Sequence, residues 1–200
     1  MTVDVKSQNL VLRLWFLMHR DVGLLRRCED QMYGEKGLTT EQFSVLVAIK
    51  YLGESVRISD VAWWIGRTTN SASMIIDRMV KAGLVRRVRD RRDRRTVFAT
   101  MTSKAENALK LAIPAGWEFI QKIMSPLSEA DRHTFARLLE TLRYEALNYL
   151  NPGEDIEAMA VNDDKSHLNM MERLFHDALL SISQAEHQSE EKVKTVKTKR

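Results

Sequence analysis

The residues best suited to chemistry in this sequence are a dense run of arginines between positions 86 and 95. Seven arginines stand against two aspartates in these ten residues, so the run carries a net charge of +5. The whole chain carries +4, and the other residues therefore sum to −1. Charge concentrated in this way indicates a polyanionic partner. A solvated basic loop would also account for it, so the flanking sequence has to decide.

A second group of side chains suited to recognition lies just upstream, where small polar residues open a helix. Thr68 is the expected N-cap, and apolar residues recur at helical spacing from Ala72 to Val80. The first turn of this helix offers short hydrogen-bonding side chains, which suit the base edges of the DNA major groove. The candidates for base contacts are Thr68, Thr69, Asn70, Ser71, Ser73 and Met74.

Residues for catalysis or metal binding are sparse. His167 and His176 lie nine positions apart, on opposite sides of one helix, and His187 adds no metal-ligand spacing. No phosphate loop or ordered Ser/His/Asp set stands out, so we expect no enzyme, no cofactor and no metal. Cys28 is the single cysteine, which suits a reducing cytoplasm, and we expect it to be a core residue rather than an oxidant sensor.

The elements around the two recognition groups form an ordered set. Helices are predicted over residues 8–32, from Thr39 to about Gly53, and over 58–65, and Thr39 and Gln42 have the spacing of a capping box. A tight turn at 66–68 then leads into the helix that begins with polar residues. Two β-rich runs, 84–89 and 96–101, make a two-stranded ribbon with a charged tip. This order is a winged helix-turn-helix, in which arginines at the wing tip suit phosphates and a narrow minor groove. The tip candidates are Arg91, Arg92 and Arg94.

Long helices flank this module. Helices over 103–124 and 128–150 follow it, and the stripe from Phe135 to Tyr149, together with the apolar run 10–18, exceeds what one small domain can cover. We therefore expect a homodimer. The apolar run is too short to cross a membrane, and the N-terminus does not read as a secretory signal, so a cytoplasmic location is expected.

The predicted fold is mainly α with a small β wing. Residues 1–37 form an N-terminal dimerisation helix, 38–102 the winged helix-turn-helix, and 103–151 the C-terminal dimerisation helices. Residues 152–200 form an extension, helical near 166–183 and ending in a disordered basic tail. The helix of the extension could add to the dimer, dock another protein or pack on its own domain.

From about residue 8 to 150 the sequence resembles the multiple antibiotic resistance regulator (MarR) family. Each piece of the match is short, but the combination is specific. The match does not cover 154–200. The residues that carry it are Leu38-Thr39 with Gln42-Phe43, Val61-Ala62, Asp77-Arg78-Met79, the stretch from Lys81 to Arg87, the wing Asp90-x-x-Asp93-Arg94-Arg95, and Met101-Thr102.

The resemblance implies a homodimer on a near-palindromic operator, with double-stranded DNA as partner and with a small-molecule effector or an oxidant that changes the spacing of the two DNA-binding modules. By carry-over, the residues from Thr68 to Met74 read bases and Arg94 serves the wing. Asp77 and Asp93 would support the wing through charge-assisted bonds. Trp15, Met18 and His19 could line an effector pocket or belong to the dimer core.

Two features depart from the family pattern. The pair Trp63-Trp64 is unusual in the third helix, and Arg91 and Arg92 make the wing tip more basic than the pattern requires. The sequence thus predicts a dimeric, sequence-specific, ligand-responsive transcriptional regulator, usually a repressor by resemblance. The alternative is an architectural or low-specificity DNA-binding protein.

Overall fold

The computed structural model describes residues 5–53, 56–90 and 96–161, with side chains from Asn9 onward, and in the extension residues 165–166, 168–170, 172–174, 176–180 and 183. Helices account for most of these residues, and the described part of the extension is helical over 156–161 and beyond residue 165. The helices are α1 (Val5–Gly34), α2 (Thr40–Leu52), α3 (Ile58–Trp64), α4 (Thr69–Lys81), α5 (Ser103–Met124) and α6 (Glu129–Leu150). The strands are β1 (Val56–Arg57), β2 (Val85–Arg89) and β3 (Val97–Met101).

This architecture confirms the predicted fold class, a mainly helical chain whose winged helix-turn-helix carries a small β-sheet. The sheet is antiparallel in the order β1-β3-β2, with Val56 opposite Ala99 and Val85 opposite Met101. The predicted two-stranded ribbon is present as β2 and β3, and β1 is a third strand that the sequence did not predict. Because β1 has only two residues, it shows no alternation of apolar and polar positions from which a strand could be predicted.

The start of α2 is anchored by side chains from two elements. Thr39 and Gln42 form the predicted capping box: the Thr39 Oγ1 accepts from the Gln42 backbone N at 3.2 Å, and the Gln42 Oε1 accepts from the Thr39 backbone N at 3.0 Å. Asp30 of α1 adds a third bond, its Oδ1 accepting from the Thr40 backbone N at 3.0 Å. Hydrogen bonds from Thr40 hold the pKa of the Asp30 carboxyl below its usual value.

The chain divides into two compact units, Met1–Ala112 and Ile113–Arg200, and the division falls within α5. In the first unit the core joins the middle of α2 to α3, α4, the sheet and the start of α5. Its fully buried side chains include Leu46, Ile49, Val61, Ile76, Met79, Val85 and Leu109.

Two residues that the sequence placed inside lie outside. Val80, predicted in the inward stripe of α4, is 38% exposed, because it follows Met79 by 100° of helical rotation and reaches the edge of the buried face. Cys28, predicted as a core residue, is exposed, as is every described side chain of α1 that precedes it. The buried anchor of α1 is Tyr33 near its C-terminal end, where its ring stacks on Phe43.

In the second unit, Ile113, Ile156 and Ala178 are buried, whereas α6 has no buried residue along its length. The predicted apolar stripe of α6 is uncovered in the single chain: Phe135, Leu138, Leu139 and Leu142 are each 45–47% exposed. Across the residues described, no helix combines the length and apolar character that a membrane crossing requires.

The bond between Asp30 and α2 predicts a pH-dependent contribution to stability. A carboxyl whose pKa is lowered in the folded state stabilises the protein above its unfolded pKa of about 3.9, and the stabilisation is lost as pH falls through the folded value. Asp30→Asn keeps an acceptor for Thr40 but removes the charge. We expect the urea midpoint of this variant to lie below that of the wild type at pH 6, and the difference between the two midpoints to narrow toward pH 3.

The matched control is Glu140→Gln, which removes one exposed carboxylate from α6. All samples are compared at one protein concentration, since association would shift the midpoints. If the difference in urea midpoint between Asp30→Asn and the wild type stays constant between pH 6 and pH 3, the charge on Asp30 does not act on α2.

Candidate nucleic-acid interface

The orientation of α4 follows from which of its faces is buried. Ala72, Ile75, Ile76 and Met79 face the core, so the opposite side of the helix is turned outward. Thr68 caps the helix as predicted, its Oγ1 accepting from the Ser71 backbone N at 3.2 Å. The Thr68 hydroxyl also donates to the Ser71 Oγ at 3.0 Å. Thr68 and Ser71 therefore hold each other at the helix start.

The outward side chains of the first turns are Thr69, Asn70 and Met74. All three are exposed, Met74 by 60%. The Thr69 hydroxyl and the Asn70 amide make no hydrogen bond to the part of the chain that the structure describes. Their donors and acceptors are thus available to a partner, which is the condition for reading base edges.

Ser73, the remaining candidate, is engaged by an arginine that the sequence analysis did not single out. The Nη2 of Arg87, on β2, donates to the Ser73 Oγ at 2.7 Å and to the Ser73 backbone O at 3.1 Å. The same nitrogen lies 3.0 Å from the Asp77 Oδ1. Arg87 therefore connects the second and third turns of α4 to the sheet through charge-assisted bonds.

The Asp77 carboxylate thus pairs with Arg87, and the role of Asp77 as a support of the wing stays a prediction. From the sequence, Arg87 was one of seven arginines, and its neighbour Arg86 has the same charge. Alternation along a strand does predict that the two point to opposite faces of the sheet. That alternation was the only signal that could have separated them, because Ser73 and Asp77 lie 14 and 10 positions away.

The other end of α4 is fixed by polar contacts from the start of α5. The Lys104 Nζ donates to the Ala82 carbonyl and the Thr102 Oγ1 donates to the Gly83 carbonyl, both at 2.8 Å. Gly83 has a φ of +71°, a left-handed conformation that favours glycine and turns the chain from α4 into β2. A cation beside the last carbonyls also suits the negative end of the helix dipole.

The described part of the wing consists of the paired strands β2 and β3. Arg86 and Arg89 are exposed on β2, and a bond from the Asp90 backbone N to the Thr96 O, at 3.0 Å, closes the ladder toward the tip. The tip candidates Arg91, Arg92 and Arg94, and the support candidate Asp93, lie outside the described residues, so their roles stay predictions.

The candidate effector-pocket residues lie together on α1. The rings of Trp15 and His19 are 4.4 Å apart between centroids, and the His19 Nδ1 is 3.0 Å from the Trp15 backbone O. Trp15 is 58% exposed and Met18 37% exposed. The three residues form an exposed patch on a single helix, and their assignment to a pocket stays a prediction.

The comparisons with known proteins agree with this geometry. The family model described as "MarR family" matches residues 36–96, which run from the end of α1 to the wing. The transcriptional activatory protein BadR of Rhodopseudomonas palustris is 29% identical over 143 residues, covering 70% of this chain and 81% of BadR.

Two solved structures share the fold at low sequence identity. The organohalide-sensing regulator RdhR-CbdbA1625, in its 2,4-dichlorophenol-bound form, gives a TM-score of 0.67 at 20% identity and covers 76% of this chain and 90% of its own. A cysteine-to-serine mutant of Escherichia coli MarR complexed with operator DNA gives 0.61 at 20% identity, covering 70% and 99%. With an outward polar helix fixed beside a basic β-ribbon, residues 36–96 form a winged helix-turn-helix of the MarR type, the module of DNA-binding transcriptional regulators.

Proposed function

We propose that this protein is a homodimeric, ligand-responsive repressor that binds a near-palindromic operator, with one α4 in the major groove of each half-site. The observation that carries the proposal is the outward first turn of α4, where Thr69 and Asn70 have free hydrogen-bonding groups and Arg87 fixes the helix to the wing. The wing arginines Arg91, Arg92 and Arg94 would contact phosphates or the minor groove. Thr68, Ser71 and Ser73 position the helix, and Met74 offers a methyl group to thymine.

The dimer is supported by apolar surfaces that a single chain leaves uncovered. Along α1, apolar side chains between Leu10 and Leu25 are 37–70% exposed and cover most of the helix circumference. The stripe of α6 is likewise exposed. Surfaces of this extent on a water-exposed helix mark contacts with another chain, and a second copy is the commonest partner.

Repression and ligand response rest on separate arguments. A dimer that occupies a promoter blocks transcription without any further contact surface, whereas activation requires such a surface. The relative BadR, in contrast, is named as an activator. The dichlorophenol-bound form of RdhR-CbdbA1625 supports a small-molecule effector for this chain as well. A ligand would act by binding one DNA-binding geometry more tightly than another.

Selection from randomised DNA duplexes tests the proposed function as a whole. A dimer with two α4 helices should enrich an inverted repeat whose half-sites lie about one helical turn, roughly 10 base pairs, apart. Recovery of no common sequence, with tight binding to all duplexes, would favour the low-specificity alternative.

Disrupting the stripe of α6 should dissociate the dimer. Leu138→Glu combined with Leu142→Glu places two charges where apolar side chains would meet the partner, and an unpaired buried charge is strongly unfavourable. Sedimentation at micromolar concentration should give the mass of two chains for the wild type and of one chain for the variant. Arg137→Glu, on the opposite side of α6, should remain dimeric. A monomeric wild type would refute the dimer.

Removing the amide of Asn70 should relax base preference. Asn70→Ala is expected to weaken binding to the selected duplex by about 1–3 kcal/mol and to lower discrimination at one base pair. Fluorescence anisotropy against a set of single-base variants of the duplex measures both effects. Asn107→Ala makes the same chemical change on α5 and should leave both the affinity and the discrimination unaltered. An equal loss for all duplexes would instead make Asn70 a phosphate contact.

The two neighbouring arginines of β2 should behave differently. Arg87→Met removes the bonds to Ser73 and Asp77, so α4 loses its attachment to the wing, and binding to the selected duplex should fall more than binding to a scrambled one. Arg86→Met removes the same charge from the other face of the strand and should weaken both duplexes by similar factors. If Arg87→Met, like Arg86→Met, lowers the affinity for the selected and the scrambled duplex by similar factors, Arg87 contributes charge alone.

A further inference from the structure

We propose that Arg57 and Thr69 hold one DNA phosphate in a cleft between α4 and the base of the wing, so that Thr69 serves the DNA backbone and leaves the bases to Asn70 and Met74. The inference rests on the proposed function for its ligand, double-stranded DNA. It goes beyond that function by assigning a backbone contact to β1 and by removing one residue of α4 from base recognition.

The cleft lies where three parts of the first unit meet, and it has a volume of about 390 Å³. β1 and the start of α3 form one side, the first two turns of α4 form another, and the beginning of β3 closes it. Among the described residues that line the cleft, Arg57 alone carries a charge. The polar lining residues are Arg57, Ser59, Thr69, Ser73 and Thr96, and Ile58 and Val97 complete the wall.

Thr69 stands in the row of α4 that faces the sheet. Residues four apart lie on one side of a helix, so Thr69, Ser73 and Asp77 form a single row. Arg87 of β2 donates to the Ser73 Oγ at 2.7 Å and lies 3.0 Å from the Asp77 Oδ1, which places this row beside the sheet. Two members of the row are therefore held by the protein itself, and Thr69 is the member that remains for a partner.

Asn70 and Met74 belong to a different side of α4. At 3.6 residues per turn they lie roughly opposite the buried face, whereas Thr69 lies within about 20° of the buried Ile76. Side chains opposite the core reach furthest into a groove that receives the helix. We therefore assign base recognition to Asn70 and Met74, and place Thr69 at the flank of the helix.

The cleft offers a cation and a hydroxyl that the protein does not use. Within the described residues, the Arg57 guanidinium forms no ion pair or hydrogen bond, and the Thr69 hydroxyl forms no hydrogen bond. The Ser59 hydroxyl, in contrast, donates to the Asp60 Oδ1 at 3.2 Å. Arginine and threonine side chains are both common donors to phosphate oxygens, so the pair suits a phosphodiester.

The position of the cleft matches the path of one DNA strand. A helix in the major groove and a wing tip in the adjacent minor groove lie on opposite sides of one sugar-phosphate backbone. That backbone has to pass between α4 and the wing, where the cleft lies. A phosphate held there would fix the register of α4 on the duplex without carrying sequence information of its own.

The salt dependence of DNA binding, measured by fluorescence anisotropy over a series of KCl concentrations, tests the contact of Arg57. Arg57→Met removes the charge and keeps an unbranched side chain. Each lost phosphate contact makes the slope of log K against log salt shallower by about 0.9, so a dimer should lose about 1.8. The affinities for the selected and the scrambled duplex should fall by similar factors, and Arg57→Lys should retain most of the slope.

Lys110→Met is the matched control, because it removes an exposed cation from α5. The start of α5 contacts the last carbonyls of α4, at the end of the helix opposite to the cleft. The slope of this variant should equal that of the wild type.

Single methylphosphonate substitutions in the selected duplex locate the contact, because each removes the charge of one phosphate. The wild type should lose affinity at several phosphates, and at one of these in each half-site the Arg57→Met variant should lose none. Thr69→Val keeps the shape of the side chain and removes the hydroxyl. It should weaken binding to all single-base variants of the duplex by the same factor, in contrast to Asn70→Ala.

Three outcomes would overturn the inference. The first is an unchanged slope in Arg57→Met, and the second is a shallower slope without any phosphate position to which this variant has become indifferent. The third is loss of discrimination at one base pair in Thr69→Val, which would make Thr69 a base contact. All three are measured on a duplex that the wild type binds, so they leave the proposed function intact. A wild type that binds no duplex would overturn the proposed function and this inference together.

Discussion

The burial of one face of α4 is the constraint on which the DNA-binding surface depends. Ala72, Ile75, Ile76 and Met79 are held in the core, and full burial of each large side chain among them stabilises the fold by about 1.5–3 kcal/mol. Rotating the helix by one residue would expose part of this face and carry polar side chains inward without partners. The outward position of Thr69 and Asn70 is therefore a consequence of core packing.

Core packing sets which face of α4 is outward, but polar contacts at the two ends fix its position more closely. Arg87 ties the helix to β2, and Lys104 with Thr102 ties its last carbonyls to the start of α5. Glu41 of α2 adds three longer ion pairs, of 3.5–4.0 Å, to Arg67 in the turn before α4, to Arg26 of α1 and to Arg78 of α4. Base reading depends on placing side chains to within a fraction of an ångström, and such contacts limit the motion that apolar packing alone permits.

Features carried by neighbouring residues were predictable from the sequence. The caps at Thr39 and Thr68 and the part of the α4 stripe from Ala72 to Met79 are local signals, and the structure has each of them. What the sequence did not reveal depends on distant partners. The two-residue strand β1 exists through its pairing with β3, Arg87 acts through Ser73 and Asp77, and Glu41 gathers arginines from three elements. The exposure of Cys28 likewise depends on where α1 packs, which its own periodicity does not determine.

The central claim is that the outward turn of α4 lies in the major groove, and site-directed DNA cleavage tests it most directly. In a Cys28→Ser background, an iron chelate attached at Asn70→Cys should cut the selected duplex at two narrow positions, one in the major groove of each half-site. The same chelate at Glu140→Cys on α6 should give no localised cuts. Localised cleavage from α6, or uniform cleavage from position 70, would contradict the account.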